Sequence, residues 1–421
     1  MRYKFKVGDE ILTSYPFVHV ILPSHRGIVC DHCLKRSETL LRCSKCKIAH
    51  FCSRNCQVAA WPDHKVECCR LREASPTEPY SAVADVRFFG KILIKLKGKD
   101  PKKLTEDVLG QKRSFHDLMS HVDRIKKDAQ RMREFRLLWD AIAKFLGEKW
   151  LPPVEAGLEI FGKRCINSYT ISDGEGNYAI GLYIGPSALD HSCDPNAQYV
   201  FDGHKLVLRA IKDIACDSLD GIRITYVDLL DLRKERVAKL RQRFFFECDC
   251  TRCKADEEYL TEKSPVLTSK VMALCNAIPG ASSKEDYTRL LKAAEDFIAE
   301  NELPENDTAR AKARKLAIFC AVRGSIFKMA LPHFFASVEV FRKCYGPFHT
   351  TYSRLLFNLA AALQYNGRLE DAVKYYGEAS DAMEVSHGQG HPRYQMFHEA
   401  RLRCEKQMLV TKNTQAHANM S

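Results

Sequence analysis

Seven cysteines and one histidine follow one another as Cys30-x2-Cys33-x9-Cys43-x2-Cys46-x5-Cys52-x3-Cys56-x7-His64-x3-Cys68. Eight such donors are the full ligand set of two tetrahedral zinc ions. A two-residue gap lets both sulfurs of a tight knuckle face one ion, and a three-residue gap does the same from successive turns of a helix. So dense a ligand set leaves little room for an apolar core, so the metal must supply folding energy. Spacing alone leaves open which four donors share an ion. A later stretch, Glu247-Cys248-Asp249-Cys250-x2-Cys253, offers three more thiolates. That is one short of a closed structural site, so a fourth donor must come from elsewhere.

Composition agrees with metal rather than disulfides. There are 18 cysteines in 421 residues, and the opening MRYKFKVGDE carries charges without the apolar run of a secretory signal. Thiols in a reducing compartment stay reduced. Cys69 reads as a surplus non-ligand, and the scattered Cys165, Cys216, Cys275, Cys320, Cys344 and Cys404 read as small buried hydrophobes. The longest mainly apolar stretch, Ile11 to Pro23, is too short for a bilayer and contains Pro16 and His19, so no membrane span is expected.

The elements that must position these donors follow from the pattern around them. Lys6 to Leu12 reads as a turn feeding a strand that continues through Phe17–Leu22. From Glu78 to Trp150 the spacing predicts helix. Between Val86 and Arg136 stand fifteen Lys/Arg against seven Asp/Glu, much of the formal net charge of +12. This run reads as a solvated helix face or as a surface for an acidic partner. From Asn167 to Tyr226 short strands alternate with turns; Tyr178–Tyr183 and Lys205–Ile211 are the clearest, and Asp173-Gly174 and Asp202-Gly203 supply turns. After Glu257 helices run to the end. There Tyr345-Gly346-Pro347-Phe348-His349 returns as His387-Gly388-Gln389-Gly390-His391, and the same offset aligns Ala330 with Ala372, Phe334 with Tyr376 and Ser337 with Ala379. Such a period marks stacked helix pairs, and Leu359, Ala360, Leu363, Gly367, Ala372, Tyr376 and Ala379 suit a tetratricopeptide-like hairpin.

The first cluster, with Phe51 before Cys52, Gln57 and Trp61-Pro62-Asp63-His64-Lys65, resembles the MYND zinc finger. That resemblance implies interleaved ligation: Cys30, Cys33, Cys52 and Cys56 on one zinc, Cys43, Cys46, His64 and Cys68 on the other. It also implies proline-rich peptide partners, and some basic fingers of this kind touch DNA. Asp190-His191-Ser192-Cys193-Asp194-Pro195-Asn196, with Tyr226 on a later strand and the cysteines after Glu247, resembles the SET domain of protein lysine methyltransferases. By that resemblance Cys193 completes a third zinc site with Cys248, Cys250 and Cys253. Finger, SET core and helical repeats together resemble the SMYD family, from Lys6 to the C-terminus.

The resemblance implies an α+β fold: a small-stranded β-rich SET core, interrupted by the finger and a helical insert, then an all-α tetratricopeptide-like domain. The implied layout is 1–25 as the start of the SET domain, 26–70 finger, 71–160 helical insert, 161–230 core SET domain, 231–256 cysteine-rich segment and 257–421 helical domain. It implies methyl transfer from S-adenosylmethionine to lysines of histone or other proteins. In-line transfer needs alignment of amine, methyl and sulfur and a neutral amine, favoured by desolvation. Tyr226 becomes the catalytic tyrosine. Asn167, Ser187, Leu189, Asp190, His191, Tyr226 and Phe246 are expected at the cofactor, and Tyr169, Tyr183 and Phe244 along the lysine channel. A monomer in cytoplasm and nucleus is expected. Three departures stand out. The Arg-Gly-x-Gly turn of SET domains has no counterpart before Lys6, so the chain reads as short by about one hairpin. Asp190 replaces the motif's Asn, and Cys216 to Gly221 replaces the usual Gly-Glu-Glu-Leu. The alternative to an enzyme is a protein-interaction scaffold built on the finger and the repeats.

Overall fold

The computed structural model describes residues 4–73, 84–174, 176–216, 218–255 and 259–418. Its β core is made of small sheets. Glu10–Ser14 pairs antiparallel with Lys205–Ala210, which pairs with Ala197–Asp202. Val18–Ile21 pairs with Asn177–Leu182, which pairs with Ser168–Ser172. The sequence predicted one strand continuing through Phe17–Leu22. Instead the chain breaks at Tyr15-Pro16, and its two halves enter different sheets. Proline has no N–H to give a ladder, which is why the break falls there. Alternate residues face inward, so Ile11, Leu206, Leu208, Ala210, Ile171, Ala179 and Tyr183 form one core. A parallel pair, Asp190–His191 beside Arg223–Ile224, joins segments separated by the whole Ala197–Ala210 hairpin.

The stretch read as continuous helix is corrected. Helices Ala84–Leu96, Ala129–Leu146 and Val154–Asn167 are present, but Thr105–Val108 and Gln111–Ser114 form a hairpin between them. Leu109 and Gly110 both have positive φ, 50° and 78°, the geometry of a two-residue hairpin turn. The first helix ends at Leu96, and Asp100 then caps the turn at Pro101–Lys103 through Lys102 N. The start expected at Glu78 lies outside the described residues. Nor is the basic excess all solvated. Arg87 is buried, and Lys91 and Lys95 donate to the carbonyls of His19 and Phe17.

The C-terminal repeat acquires a physical meaning. Helices Phe327–Tyr345 and Leu369–His387 end at Gly346 and Gly388, with φ of 82° and 81°. Helices Thr350–Tyr365 and Pro392–Ala418 then begin, and His349 and His391 accept from the N–H two residues on, both at 3.1 Å. Each repeat is thus a glycine stop followed by a histidine start. The aligned pairs Ala330/Ala372, Phe334/Tyr376 and Ser337/Ala379 are all buried between helices. His391 also meets the Phe201 carbonyl, and Arg209 donates to Val385 O at 3.1 Å, tying helices to β core. No helix among the described residues is long and apolar enough to cross a membrane.

One close approach helps to seat the finger on the core. Gly203 has φ of 61°, and a Cβ there would stand 2.2 Å from the Cys33 carbonyl, which accepts from His204 N at 3.0 Å. Gly203→Ala is expected to destabilise the protein by about 1–3 kcal/mol in chemical denaturation. Gly98→Ala, also at positive φ (70°) but with nothing within 4 Å, isolates the backbone penalty. Equal losses in the two variants would sink the contact argument.

Candidate functional site

The chain gathers its donors into three groups: Cys30, Cys33, Cys52 and Cys56; Cys43, Cys46, His64 and Cys68; and Cys193, Cys248, Cys250 and Cys253. These are the groupings the resemblance implies. Within each, the ligand atoms lie within 4.8 Å of one another. Sulfur separations include 3.7 Å for Cys33–Cys52, 3.8 Å for Cys43–Cys68 and 3.6 Å for Cys193–Cys253. A disulfide needs about 2.05 Å. A tetrahedron with bonds of about 2.3 Å has edges near these values, so the donor sets fit zinc.

The third group is wired to the β core. Arg236 is fully buried; its Nε donates to Cys193 Sγ at 3.2 Å and its Nη1 to Asp231 O at 2.7 Å. Arg252 donates to the carbonyls of Cys193 and Leu229. Four thiolates on one divalent ion carry net negative charge, which a buried guanidinium balances. His191 continues the connection. Its Nδ1 accepts from Tyr226 N at 3.0 Å, which leaves Nε2 as the donor toward Cys193 Sγ at 3.3 Å. The Asp190–Asn196 segment is stitched to 221–226 by further bonds. Ser192 N donates to Ile224 O, and Asn196 uses its side chain to bond Gly221 O and Arg223 N, both at 2.8 Å.

Tyr226 stands at a cavity of about 600 Å³. Asn167, Tyr169, Ser187, Asp190, His191, Phe244 and Phe246 line it as well. The Asn167 amide donates to Met119 O and Lys163 O, so its N–H groups are already used. Tyr226 and Phe244 rings stand 4.7 Å apart. Two expected residues are outside the wall. Leu189 is buried and reaches the site through its carbonyl, which accepts from the Tyr226 hydroxyl. Tyr183 is not a wall of this cavity: it is fully buried, donates to His204 O at 2.7 Å and supports Tyr169 edge-on. Burial, with Asp190 next, pushes the Tyr226 phenol well above its ordinary range. Burial does the same to Tyr169. Both hydroxyls therefore stay protonated at physiological pH. A second cavity of about 440 Å³ adjoins the first, and Tyr199, Ile224, Thr225 and Tyr226 line both.

Residues 30–68 match the MYND finger family, and residues 307–384 match the tetratricopeptide repeat. Over 411 aligned residues the chain is 31% identical to the Mus musculus histone-lysine N-methyltransferase SMYD3, covering 91% of this chain and 89% of that protein. The chain belongs to the SMYD family. It is also 25% identical to Homo sapiens histone-lysine N-methyltransferase SMYD1 (98% and 88% covered) and to Gallus gallus N-lysine methyltransferase SMYD2 (92% and 91%).

For a SMYD chain the finger and third-site ligands are only half of each metal site, and sequence reasoning missed the other half. His64 Nδ1 faces Glu67 Oε2 at 3.5 Å; Glu67 Oε1 accepts from Arg87 Nε at 2.7 Å; Arg87 reaches Asp31 at 3.5 Å. Asp31 in turn accepts from His50 N. Such partners orient a metal-binding imidazole. A glutamate three residues past His64 was a readable signal; Arg87, in another element, was not. The hairpin was missed too. Its Glu106 accepts from Gly185 N at 2.8 Å, and Arg113 donates to Ser187, shaping the turn at the cavity mouth.

Proposed function

We propose that this protein is a protein-lysine N-methyltransferase using S-adenosylmethionine, with histone or other protein lysines as substrates. The supporting observation is Tyr226 in the common wall of two adjoining cavities. The larger is of a size for a nucleoside-bearing ligand. It offers Asp190 and Asp117 for cationic parts, Arg113 for an anionic part, and the rings of Phe244, Phe246 and Tyr226 for a sulfonium. The donor chemistry fits. Bound there, S-adenosylmethionine supplies an already activated methyl group.

The chain's own residues then have three tasks. Tyr169, Tyr226 and Phe244 hold the lysine side chain in an apolar, water-poor passage that favours its neutral amine. Tyr226 acts as a protonated phenol, orienting rather than removing a proton. The hydroxyl is fixed on the Leu189 carbonyl and the backbone on His191. On this reading residues 161–230 act as the SET core and the third metal site as a structural clamp.

Calorimetric titration of the zinc-loaded chain with S-adenosylmethionine tests the proposal. Saturable one-site binding in the micromolar range or tighter is expected, with radiolabelled methyl transfer to histone or other protein. Absence of both would favour a protein-docking scaffold of finger and repeats, with the Asp190 carboxylate in place of an amide as the departure responsible.

A further inference from the structure

The wall between the two cavities holds a hydroxyl on which the fold spends no partner of its own. Thr170, Tyr199, Ile224, Thr225 and Tyr226 face both spaces. Ile224 has no polar side-chain atom. The Thr225 hydroxyl donates to Val227 O at 2.7 Å, and that of Tyr226 to Leu189 O. Beside them Tyr169 donates to Pro186 O at 2.7 Å. Each of these protons is committed to a backbone carbonyl, which fixes where the remaining lone pairs of the oxygen point. Phe244, packed on Tyr226, adds a ring and no hydroxyl.

Among the described residues, the hydroxyls of Thr170 and Tyr199 have no hydrogen-bond partner. Thr170 is exposed on its strand, where water completes it. Tyr199 is half-buried, and its ring is held edge-on to Tyr169 at 5.2 Å and beside Phe201 at 5.6 Å. The ring is therefore fixed while the hydroxyl is free to turn. Its oxygen is not sealed in the core, so it opens onto the cavities that the ring lines. Burial raises the phenol, with Arg243 opposing, so the group stays protonated at physiological pH. A hydroxyl drawn out of water gains by meeting a polar group, because without one its desolvation is uncompensated. It can accept from that group and donate to it.

We infer that Tyr199 receives the substrate lysine: its phenol oxygen accepts an N–H of the ε-amine and turns the amine's lone pair toward the larger cavity. Tyr199 moves no proton; it sets the direction from which the amine presents itself. A lysine crossing from the smaller cavity to the larger passes this residue, because its ring is part of both walls. The inference rests on the methyltransferase reading for the identity of the amine, and on the free hydroxyl for the residue that meets it.

The test is Tyr199→Phe in the full zinc-loaded chain, which removes the oxygen and keeps the ring against Tyr169. The kcat for methyl transfer to a lysine peptide is expected to fall about tenfold. Peptide KM and the dissociation constant of S-adenosylmethionine should change by less than about twofold, at unchanged melting temperature. NMR titration of a peptide isotope-labelled at its lysine ε-carbon, bound with S-adenosylhomocysteine, reads the amine directly. An oxygen acceptor favours the ammonium form. The bound amine should therefore titrate about one pH unit lower in Tyr199→Phe than in the unaltered chain. Thr170→Val, which removes the other free hydroxyl, should change neither reading. An unchanged kcat or an unmoved amine in Tyr199→Phe, with transfer intact, overturns this inference and leaves the methyltransferase reading standing. The same holds if Thr170→Val moves the readings instead. A moved amine with no transfer by any form does the reverse.

Discussion

Cys193→Ser is expected to release the third metal ion and to lower methyl transfer by more than about a hundredfold. Two effects combine. Serine is a poor zinc ligand, and the remaining thiols do not close a tetrahedron. Arg236, fully buried against Cys193 Sγ, would then lose one of its anionic neighbours. Removing one partner of a buried ion pair costs up to about 3–5 kcal/mol. The catalytic side suffers through His191, which spans Cys193 Sγ and the Tyr226 backbone N–H. Metal analysis should fall from three ions per chain to two. His191→Gln should keep all three ions and yet lower transfer about ten- to a hundredfold, as loss of a ligand-orienting contact does. Cys165→Ser, outside all three groups, serves as the control. Three retained ions with undiminished transfer in Cys193→Ser would defeat this account.

The second large effect lies in the finger. Arg87→Ala should destabilise the protein by about 3–5 kcal/mol and speed chelator-driven zinc loss about ten- to a hundredfold. Arg87 and Glu67 are 2% and 1% exposed, and their contact is 2.7 Å. Burial alone would raise the Glu67 carboxyl, but Arg87 and then Lys91 hold it well below the ordinary carboxylate range. The sign follows. A depressed folded-state pKa gives stability that is present above about pH 4.3 and lost as pH falls toward the folded value. In Arg87→Ala that acid-dependent share of the stability should shrink. Stopped-flow zinc release and denaturation at several pH values read both effects; unchanged release and stability would remove Arg87 from the finger's support. Glu67→Gln should act in the same direction.

How far the sequence foretold these features depends on their range. Cysteine spacing is local and chemically narrow, so ligand identity was legible. The repeat was legible because each unit ends on glycine and restarts on histidine. The helical insert was misread because its Lys-rich composition suits helix, while two residues of turn geometry, Leu109 and Gly110, decided otherwise. Tyr226 could be singled out by motif, but not its bond to Leu189 O, nor the burial of Tyr183. Arg87 and Arg236 were hidden for a different reason. Charged residues are normally read as surface, and only tertiary contact with Glu67 or with thiolates makes their burial affordable. The bond from Arg354 to the Gly174 carbonyl joins positions far apart in the chain, which no local pattern can signal.

The parallel pairing of Asp190–His191 with Arg223–Ile224 has a kinetic consequence. Its partners are separated by the Ala197–Ala210 hairpin, and Cys193 needs Cys248 to Cys253, further on still, to complete its donor group. Contacts of large sequence separation carry loop-closure entropy that must be met before they give any stability. Tyr226 thus depends on contacts of large sequence separation, the kind expected to form late in folding. On a ribosome, a chain released before Cys253 has emerged would have its β strands but no fixed Tyr226. Late assembly keeps the centre from forming on an incomplete chain.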